Sequence, residues 1–200
     1  MVDFLAKLGL DKLDRALMYG VALALILAVL SNAIYLEASW ISFFVRFLHV
    51  VSGVMWVGLL WYFNFVQIPS MPKIPDEQKP AVSKVIAPTA LFWFRWAALA
   101  TLVTGLLLAV LNGYIVQALT LTGTGPAKLI GIGMWLGIIM AYNVWMIIWP
   151  NQKIALGMVE ADADTKKKAA RTAMITSRFN TMFSIPMLYF MVGAQNIAAG

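Results

Sequence analysis

The sequence predicts an all-α integral membrane protein, a bundle of five transmembrane helices, and three observations support this fold class. The 200 residues are 62% hydrophobic and only 12% charged, whereas soluble domains carry about 25% charged residues. Five apolar stretches are each long enough for the roughly 20 residues that cross a bilayer. Lysines and arginines are concentrated in alternate connections between these stretches, as they are in multi-pass proteins.

The elements follow in chain order. Residues 1–15 are predicted to form an amphipathic segment on the membrane surface, because Phe4, Leu8 and Leu13 fall near one helical face. The apolar run that follows is too long for the core of a signal peptide, so we expect no cleavage there. The rest, residues 16–197, is predicted to be a single transmembrane helical domain. Its five spans are Ala16–Leu36, Ile41–Gln67, Leu91–Val116, Leu129–Trp149 and Met174–Ile197.

The charges of the connections predict the orientation of the spans. Basic residues occur before the first span, in the connection 68–90 and in the connection 151–173, whereas the short connection around Glu37, the connection 117–127 and the tail after Asn196 have none. Because basic connections stay on the cytoplasmic side, the N-terminus is predicted to be cytoplasmic. Five spans then place the C-terminus on the opposite side.

Two connections are predicted to have structure of their own. Prolines 69, 72 and 75 should make the connection 68–90 begin as an extended or turned segment. Its later part, residues 76–86, is expected to form a short helix. In residues 160–171 acidic side chains precede basic ones at near-helical spacing, which favours a solvated helix.

Asn143 and Asn180 are polar side chains within the fourth and fifth predicted spans. An amide without a hydrogen-bond partner is costly in an apolar environment. We therefore expect these two residues to hydrogen-bond across the bundle.

The composition also excludes several kinds of chemistry. The chain has no cysteine, which removes disulfides, iron–sulfur clusters, thiolate zinc sites, cysteine nucleophiles and the Cys-x-x-Cys-His attachment of c-type haem. The net charge of +6 is explained by basic cytoplasmic connections beside anionic lipid. We therefore expect a lipid bilayer and no nucleic acid as a partner.

His49 is the only histidine of the chain, and it lies in the second predicted span. An ionisable residue at membrane depth indicates a functional site, and a neutral imidazole is the usual protein ligand of haem iron. Three interpretations stay open: a hydrogen bond to a neighbouring helix, a ligand of haem or another porphyrin, and a ligand of another metal. Gly53 and Trp56 share its helical face, and Gly53 gives room beside the imidazole.

A haem held by His49 needs a second axial ligand that is not histidine. Met134 in the fourth span and Met187 or Met191 in the fifth fall at a similar predicted depth, and water or an open position are the other choices. Each methionine is also an ordinary packing residue. Arg46 is predicted either to pair with a haem propionate or to extend to the membrane surface.

Four segments carry a family resemblance. They are FLHVVSGVMWVG at residues 47–58, WFRWAALATLVTG at 93–105, GIIMAYNVWMIIWPNQK at 137–153 and RFNTMFSIPML at 178–188. In this order they resemble the bacterial membrane-bound urate oxidase (urate hydroxylase) N-terminal-domain family, over about residues 41–195. The second span is also similar to small membrane haem proteins of the protoporphyrinogen-oxidase type, in which the corresponding histidine is a haem ligand.

The resemblance implies a redox protein of the bacterial inner membrane, with a periplasmic C-terminus. It implies haem b, or a related porphyrin, bound through His49, and an oxidoreductase activity like that of urate oxidase. Full-length members often end in a cytochrome c domain and have a histidine in the last helix, where this chain has Phe179. The resemblance is therefore to a short form without that domain, for which a separate cytochrome is a natural partner. The alternative is a non-catalytic accessory or pigment-binding subunit of a larger membrane complex, and the sequence leaves a homo-oligomer open.

Overall fold

The computed structural model describes residues 6–34 and 37–197, except the side chain of Ala38. Within these ranges all regular secondary structure is helical, so the all-α prediction is confirmed for the described chain. The chain forms two compact units, Met1–Phe43 and Phe44–Gly200.

The described helices are named α1 to α6 in chain order. The first is α1, Leu13–Leu30. The second, α2, is an α-helix over Ala38–Trp61 and continues as helical turns to Lys73. The third, α3, begins at Lys79 and includes the long α-helix Ala87–Leu111. The remaining three are α4, Ile115–Thr120, α5, which runs from Pro126 to Ala155, and α6, Ala163–Asn196.

Four helices of the described chain are long and apolar enough to cross a membrane, namely α1, α2, α3 and α5. This is consistent with a multi-pass membrane protein. The fifth predicted span, Met174–Ile197, lies in α6, which is not among the four. Its first turns carry the charged residues of the preceding connection, and Arg178 and Asn180 lower the hydropathy of the rest. A fifth crossing therefore stays a prediction.

Three π-helical segments interrupt the long helices, and each ends two residues before a proline. They are Tyr62–Gln67 before Pro69, Val82–Ile86 before Pro88, and Asn143–Ile148 before Pro150. Proline has no N–H and its ring clashes with the carbonyl four residues earlier. The wider π turn moves that carbonyl away, which lets the helix continue through the proline.

The connection after the second predicted span therefore differs from its prediction. An extended start at Pro69 is wrong, because α2 continues as helix to Lys73. The backbone becomes extended only at Ile74. The predicted short helix in residues 76–86 is present as the first turns of α3, and the predicted solvated helix in residues 160–171 is present as the start of α6.

The unit Met1–Phe43 contains α1 and the start of α2. None of the residues of α1 is buried. Before α1 the chain turns at Gly9, which has φ +77°, and the Tyr19 hydroxyl donates to the Leu8 carbonyl at 2.9 Å. The described part of the predicted amphipathic segment is thus helical at Ala6 and Lys7, then a turn, and then the start of α1. Its first five residues lie outside the described ranges.

The unit Phe44–Gly200 has an apolar core joined by polar bonds between helices. Its most deeply buried large side chains include Trp56, Leu60, Phe94, Met140 and Val144. The predicted pairing of asparagines is confirmed, since the Asn143 amide of α5 donates to the Asn180 side-chain oxygen of α6 at 2.8 Å.

Further bonds fix α6 against α2 and α5 in the same unit. The Asn180 amide donates to the Met140 carbonyl at 2.9 Å, and the Trp61 indole N–H donates to the Ser184 hydroxyl at 2.9 Å. A buried polar group must be satisfied by a defined partner in an apolar surrounding. These pairs therefore set the register of α6 against α2 and α5.

Candidate functional site

His49 is held by the backbone of α3. Its Nδ1 lies 3.0 Å from the Thr101 carbonyl oxygen and 3.3 Å from the Thr104 hydroxyl oxygen. A carbonyl only accepts, so Nδ1 must carry the proton and donate it. In a neutral imidazole Nε2 is then the unprotonated nitrogen.

One interpretation of His49 was a hydrogen bond to a neighbouring helix. That bond is present, but it uses only one of the two ring nitrogens. Nε2 has no hydrogen-bond partner within the described ranges. A histidine that ligates a metal through one nitrogen commonly donates from the other to a carbonyl or carboxylate, which fixes its tautomer and its orientation. The arrangement is thus compatible with packing and also with ligation through Nε2.

Gly105 of α3 makes the close approach of the imidazole possible. A Cβ atom built on Gly105 would lie 2.9 Å from His49 Cε1 and 3.2 Å from Nδ1. Any side chain at this position would have to displace the ring. A Cβ atom on Gly53 would instead meet the Thr101 Cγ2 at 3.9 Å, which is an ordinary contact, so the glycine that gives the imidazole its room is Gly105.

A cavity of about 50 Å³ lies beside His49. Residues of α2, α3, α5 and α6 form its wall, and apart from His49 none of them carries a titratable side chain. They are His49, Trp56, Thr101, Leu102, Gly105, Leu106, Met134, Gly137, Ile138, Met187 and Met191. The cavity is therefore an almost wholly apolar space with one imidazole on its wall.

The structure brings together most of the residues that the sequence proposed for a cofactor site. Trp56, Met134 and Met187 line the cavity with His49, and both methionines are buried. Arg46 and Gly53 are not part of the wall. The Arg46 side chain is exposed. The role of these residues in binding a cofactor stays a prediction.

Arg46 has a neighbour at the start of α4. Its positive charge acts on the phenol of Tyr114, the residue that precedes this helix. The structure shows no anionic group of the chain paired with Arg46 in the described ranges. Its guanidinium is therefore available to a group from outside the described chain.

The sequence reasoning missed the contribution of α3. Thr101, Thr104 and Gly105 are the residues that hold and accommodate the imidazole. Their spacing of three and four places them on one helical face. Small and weakly polar residues at this spacing are typical of a helix face that another helix approaches closely, so a signal was present in the segment WFRWAALATLVTG.

The Trp56 indole is a buried donor on the same wall. Trp56 is 2% exposed, and its Nε1 is buried without a hydrogen-bond partner. Indole N–H is a donor only, and buried polar groups are nearly always paired. An acceptor atom from outside the described chain, such as a water or a group of a bound molecule, would satisfy it.

The residues described around His49 do not form a metal site made of protein side chains alone. No three His, Asp or Glu side chains lie together in the part of the chain that the structure describes, so a metal at Nε2 would have to bring further ligands with it, as a porphyrin does. A cavity of about 50 Å³ holds a few waters and is smaller than the 300 Å³ or more of typical ligand pockets. Three of its wall residues are methionines, whose flexible side chains would have to turn away to admit a macrocycle.

The comparison with protein families gives the relationship of the C-terminal part of the chain. Residues 117–197 match the family described as Urate oxidase N-terminal. The resemblance to this family is thus confirmed over 81 of the 200 residues, which include α5 and α6. No curated protein and no solved structure matches the chain.

The matched residues contribute one side of the cavity. Met134 and Gly137 of α5 and Met187 and Met191 of α6 lie within the match. The similarity to the urate oxidase N-terminal family therefore covers the methionines of the cavity wall. His49 and the α3 residues that hold it lie outside the match, and only their geometry in the structure describes them.

Proposed function

We propose that this chain is a membrane redox protein of the urate oxidase N-terminal type that binds haem b, or a related porphyrin, through Nε2 of His49. The observation that carries the proposal is the state of this imidazole. Its Nδ1–H donates a hydrogen bond to the Thr101 carbonyl oxygen at 3.0 Å, and its Nε2 has no hydrogen-bond partner within the described ranges. The same histidine lies on the wall of an apolar cavity whose buried tryptophan lacks an acceptor.

A bound haem would supply one-electron chemistry, and the chain would supply its environment. The Thr101 carbonyl fixes the tautomer of His49 and increases the basicity of Nε2. Met134 and Met187 line the same cavity, and a thioether sulfur from one of them as second ligand would favour a higher reduction potential. The almost wholly apolar wall would give a bound haem a surrounding of low polarity, which also affects the potential.

The family match supports an oxidation of urate or a related compound as the specific activity. In this proposal the electron acceptor is a cytochrome, either a separate protein or a subunit of a larger complex, and a haem held by His49 would supply the one-electron chemistry. In this proposal the protein belongs to the bacterial inner membrane. Because the wall has no acid–base group other than His49, a role in electron transfer suits it better than hydrolysis does.

A second candidate is a non-catalytic accessory or pigment-binding subunit. The observation that favours it is the small size of the cavity, together with the hydrogen bond that His49 already makes to α3. In that case His49 is either a packing residue or the ligand of a chlorin magnesium. The two candidates differ in what the purified protein absorbs.

The visible spectrum of the full chain, expressed with ample haem and purified, tests the proposal. We expect a Soret band in the wild type and its loss in His49→Ala. Asn112→Ala, which changes a residue outside the cavity wall, serves as the control and should keep the band. A colourless wild type, or a band that survives in His49→Ala, contradicts haem ligation by His49, and a chlorin band favours the second candidate.

We also propose the five-span topology with a cytoplasmic N-terminus and a periplasmic C-terminus. The absence of cysteine makes single-cysteine labelling clean. With a membrane-impermeant maleimide on spheroplasts, Glu37→Cys and Asn196→Cys should be labelled, and Glu77→Cys should react only after lysis. If Asn196→Cys is protected while Glu37→Cys is labelled, α6 does not cross the membrane.

A further inference from the structure

A second cavity, of about 210 Å³, lies in the unit Phe44–Gly200 and is separate from the His49 cavity in its wall residues. It is formed by α2, α3, α5 and α6. No charged residue lines it. Its wall includes Phe63, Gln67, Phe94, Gln152, Ala170 and Ser177. A molecule that binds in this cavity is therefore expected to be neutral.

Two glutamine side chains face this apolar space from different helices. Gln67 of α2 has a buried Oε1 without a hydrogen-bond partner, and Gln152 of α5 lines the same cavity. Neither amide bonds to another side chain or to the backbone within the described ranges. A buried oxygen without a donor costs free energy, so a bound molecule that donated to the Gln67 Oε1 would remove that cost.

A neighbouring asparagine also has a buried side-chain oxygen without a hydrogen-bond donor. Asn64 is 9% exposed, and its amide donates to the Leu60 carbonyl and to the Ser177 hydroxyl, both at 2.8 Å. Its Oδ1 is buried and has no partner. Ser177 is itself a wall residue. Two buried amide oxygens in this region thus lack a donor.

The backbone around the cavity is also unusual. Phe63 and Gln67 belong to the π-helical segment of α2, and the wall residue Ile148 ends the π-helical segment of α5. π-helical turns are frequent at functional sites. Here the wider π-helical turns accommodate the prolines that follow them. In α2 the π-helical segment contains Phe63 and Gln67, which both line the cavity.

We propose that this cavity binds one small, neutral, planar ring whose edge carries an N–H or O–H donor beside an acceptor. An amide offers a donor and an acceptor side by side, which pairs with such an edge through two hydrogen bonds. Phe63 and Phe94, with ring centroids 5.6 Å apart and planes at 78°, give an aromatic wall for the ring. An apolar cavity of about 150 Å³ holds benzene, so 210 Å³ holds one substituted ring.

The ring has two sources with the same chemistry. One is a water-soluble lactam, and the other is the hydroxyl-bearing head of a quinol dissolved in the membrane. The proposal does not depend on haem binding, because it uses no residue of the His49 cavity. Its success or failure is therefore distinguishable from that of the proposed function.

The experiment measures binding to the full chain in lipid nanodiscs by calorimetry and saturation-transfer NMR. The probes are 2-pyridone and methylhydroquinone, and each is compared with a partner that lacks the donor, N-methyl-2-pyridone and methylbenzoquinone. We expect at least one donor-bearing probe to bind about tenfold more tightly than its partner. Preference for 2-pyridone identifies the water-soluble source, and preference for methylhydroquinone identifies the membrane source.

Variants show where the probe binds. Gln67→Met and Gln152→Met keep the approximate volume and remove the amide, and each should weaken the bound probe about tenfold. Gln117→Met changes an exposed glutamine outside the wall and should leave the affinity unchanged.

Ala170→Phe fills the cavity from an exposed wall position and should abolish binding with both amides present. It keeps the test decisive if a glutamine variant fails to fold. Equal affinity for probes with and without the donor, no binding of any probe, or binding unchanged in Ala170→Phe overturns the proposal.

Discussion

Replacing Gly105 by alanine should disturb His49 without touching its own side chain. The added Cβ atom would lie 2.9 Å from Cε1 of the imidazole, where contacts under 3.4 Å are already tight. The ring would therefore have to move by about 0.5 Å away from α3. Because the ring is rigid, its Nδ1 moves with it.

The size of the effect follows from the hydrogen bond. Nδ1 lies 3.0 Å from the Thr101 carbonyl oxygen, and a displacement of about 0.5 Å takes this distance to the limit for a hydrogen bond. Loss of the bond costs about 1 kcal/mol of unfolding free energy, partly offset by the better helix propensity of alanine. Loss of such a supporting bond commonly weakens metal binding about 10- to 100-fold.

A titration of the haem-free chain with haem, followed at the Soret band, measures the affinity, and thermal unfolding measures the stability. Gly58→Ala is the matched control, because a Cβ atom at Gly58 meets no other atom within 4 Å. We expect Gly105→Ala to lose at least tenfold in affinity while Gly58→Ala stays within about twofold of the wild type. Equal affinities in the two variants would refute the argument that Gly105 and Thr101 position the ligand.

Three further outcomes are expected. Asn180→Ala should lower the unfolding free energy by about 1–3 kcal/mol in thermal or denaturant unfolding, because it leaves the buried Asn143 amide without its side-chain acceptor and removes the bond to the Met140 carbonyl. The Asp162 carboxylate accepts hydrogen bonds from the Thr165 hydroxyl at 2.6 Å and from the Thr165 backbone N–H at 2.8 Å, and these two bonds hold its pKa below the usual 3.8. Its stabilisation of the first turn of α6 is therefore present above pH 3.8 and is lost as the pH falls through the lowered pKa; hydrogen exchange of that turn should show this dependence in the wild type and not in Asp162→Asn. If a methionine is the second axial ligand, one of Met134→Leu, Met187→Leu and Met191→Leu, and not the other two, should remove the thioether signature from the near-infrared spectrum of the oxidised haem.

The helical fold was predictable from composition, because an apolar chain of this length has few other ways to satisfy its backbone in a bilayer. The ends of the helices were less predictable. Proline stops a regular α-helix, so a break at Pro69 was expected. The π turn of Tyr62–Gln67 removed the clash and let α2 run on to Lys73.

The site was predictable in part, and for a specific reason. Depth along each span grouped His49 with Met134 and Met187, since residues at one depth in neighbouring helices can meet. Rotation about each helix axis is not fixed by depth, which is why Gly53 was expected beside the imidazole where Gly105 of another helix lies. The carbonyl of Thr101 was beyond sequence reasoning, because every residue has one.

The most direct test of the central claim uses the fact that His49 is the only histidine. The haem-loaded chain, labelled with ¹⁵N in histidine alone, is measured by electron-nuclear double resonance in the ferric state. Ligation through Nε2 predicts a ¹⁵N coupling of the size of a directly bound nitrogen, separate from the ¹⁴N signals of the porphyrin. A haem spectrum without any such ¹⁵N coupling would contradict the account.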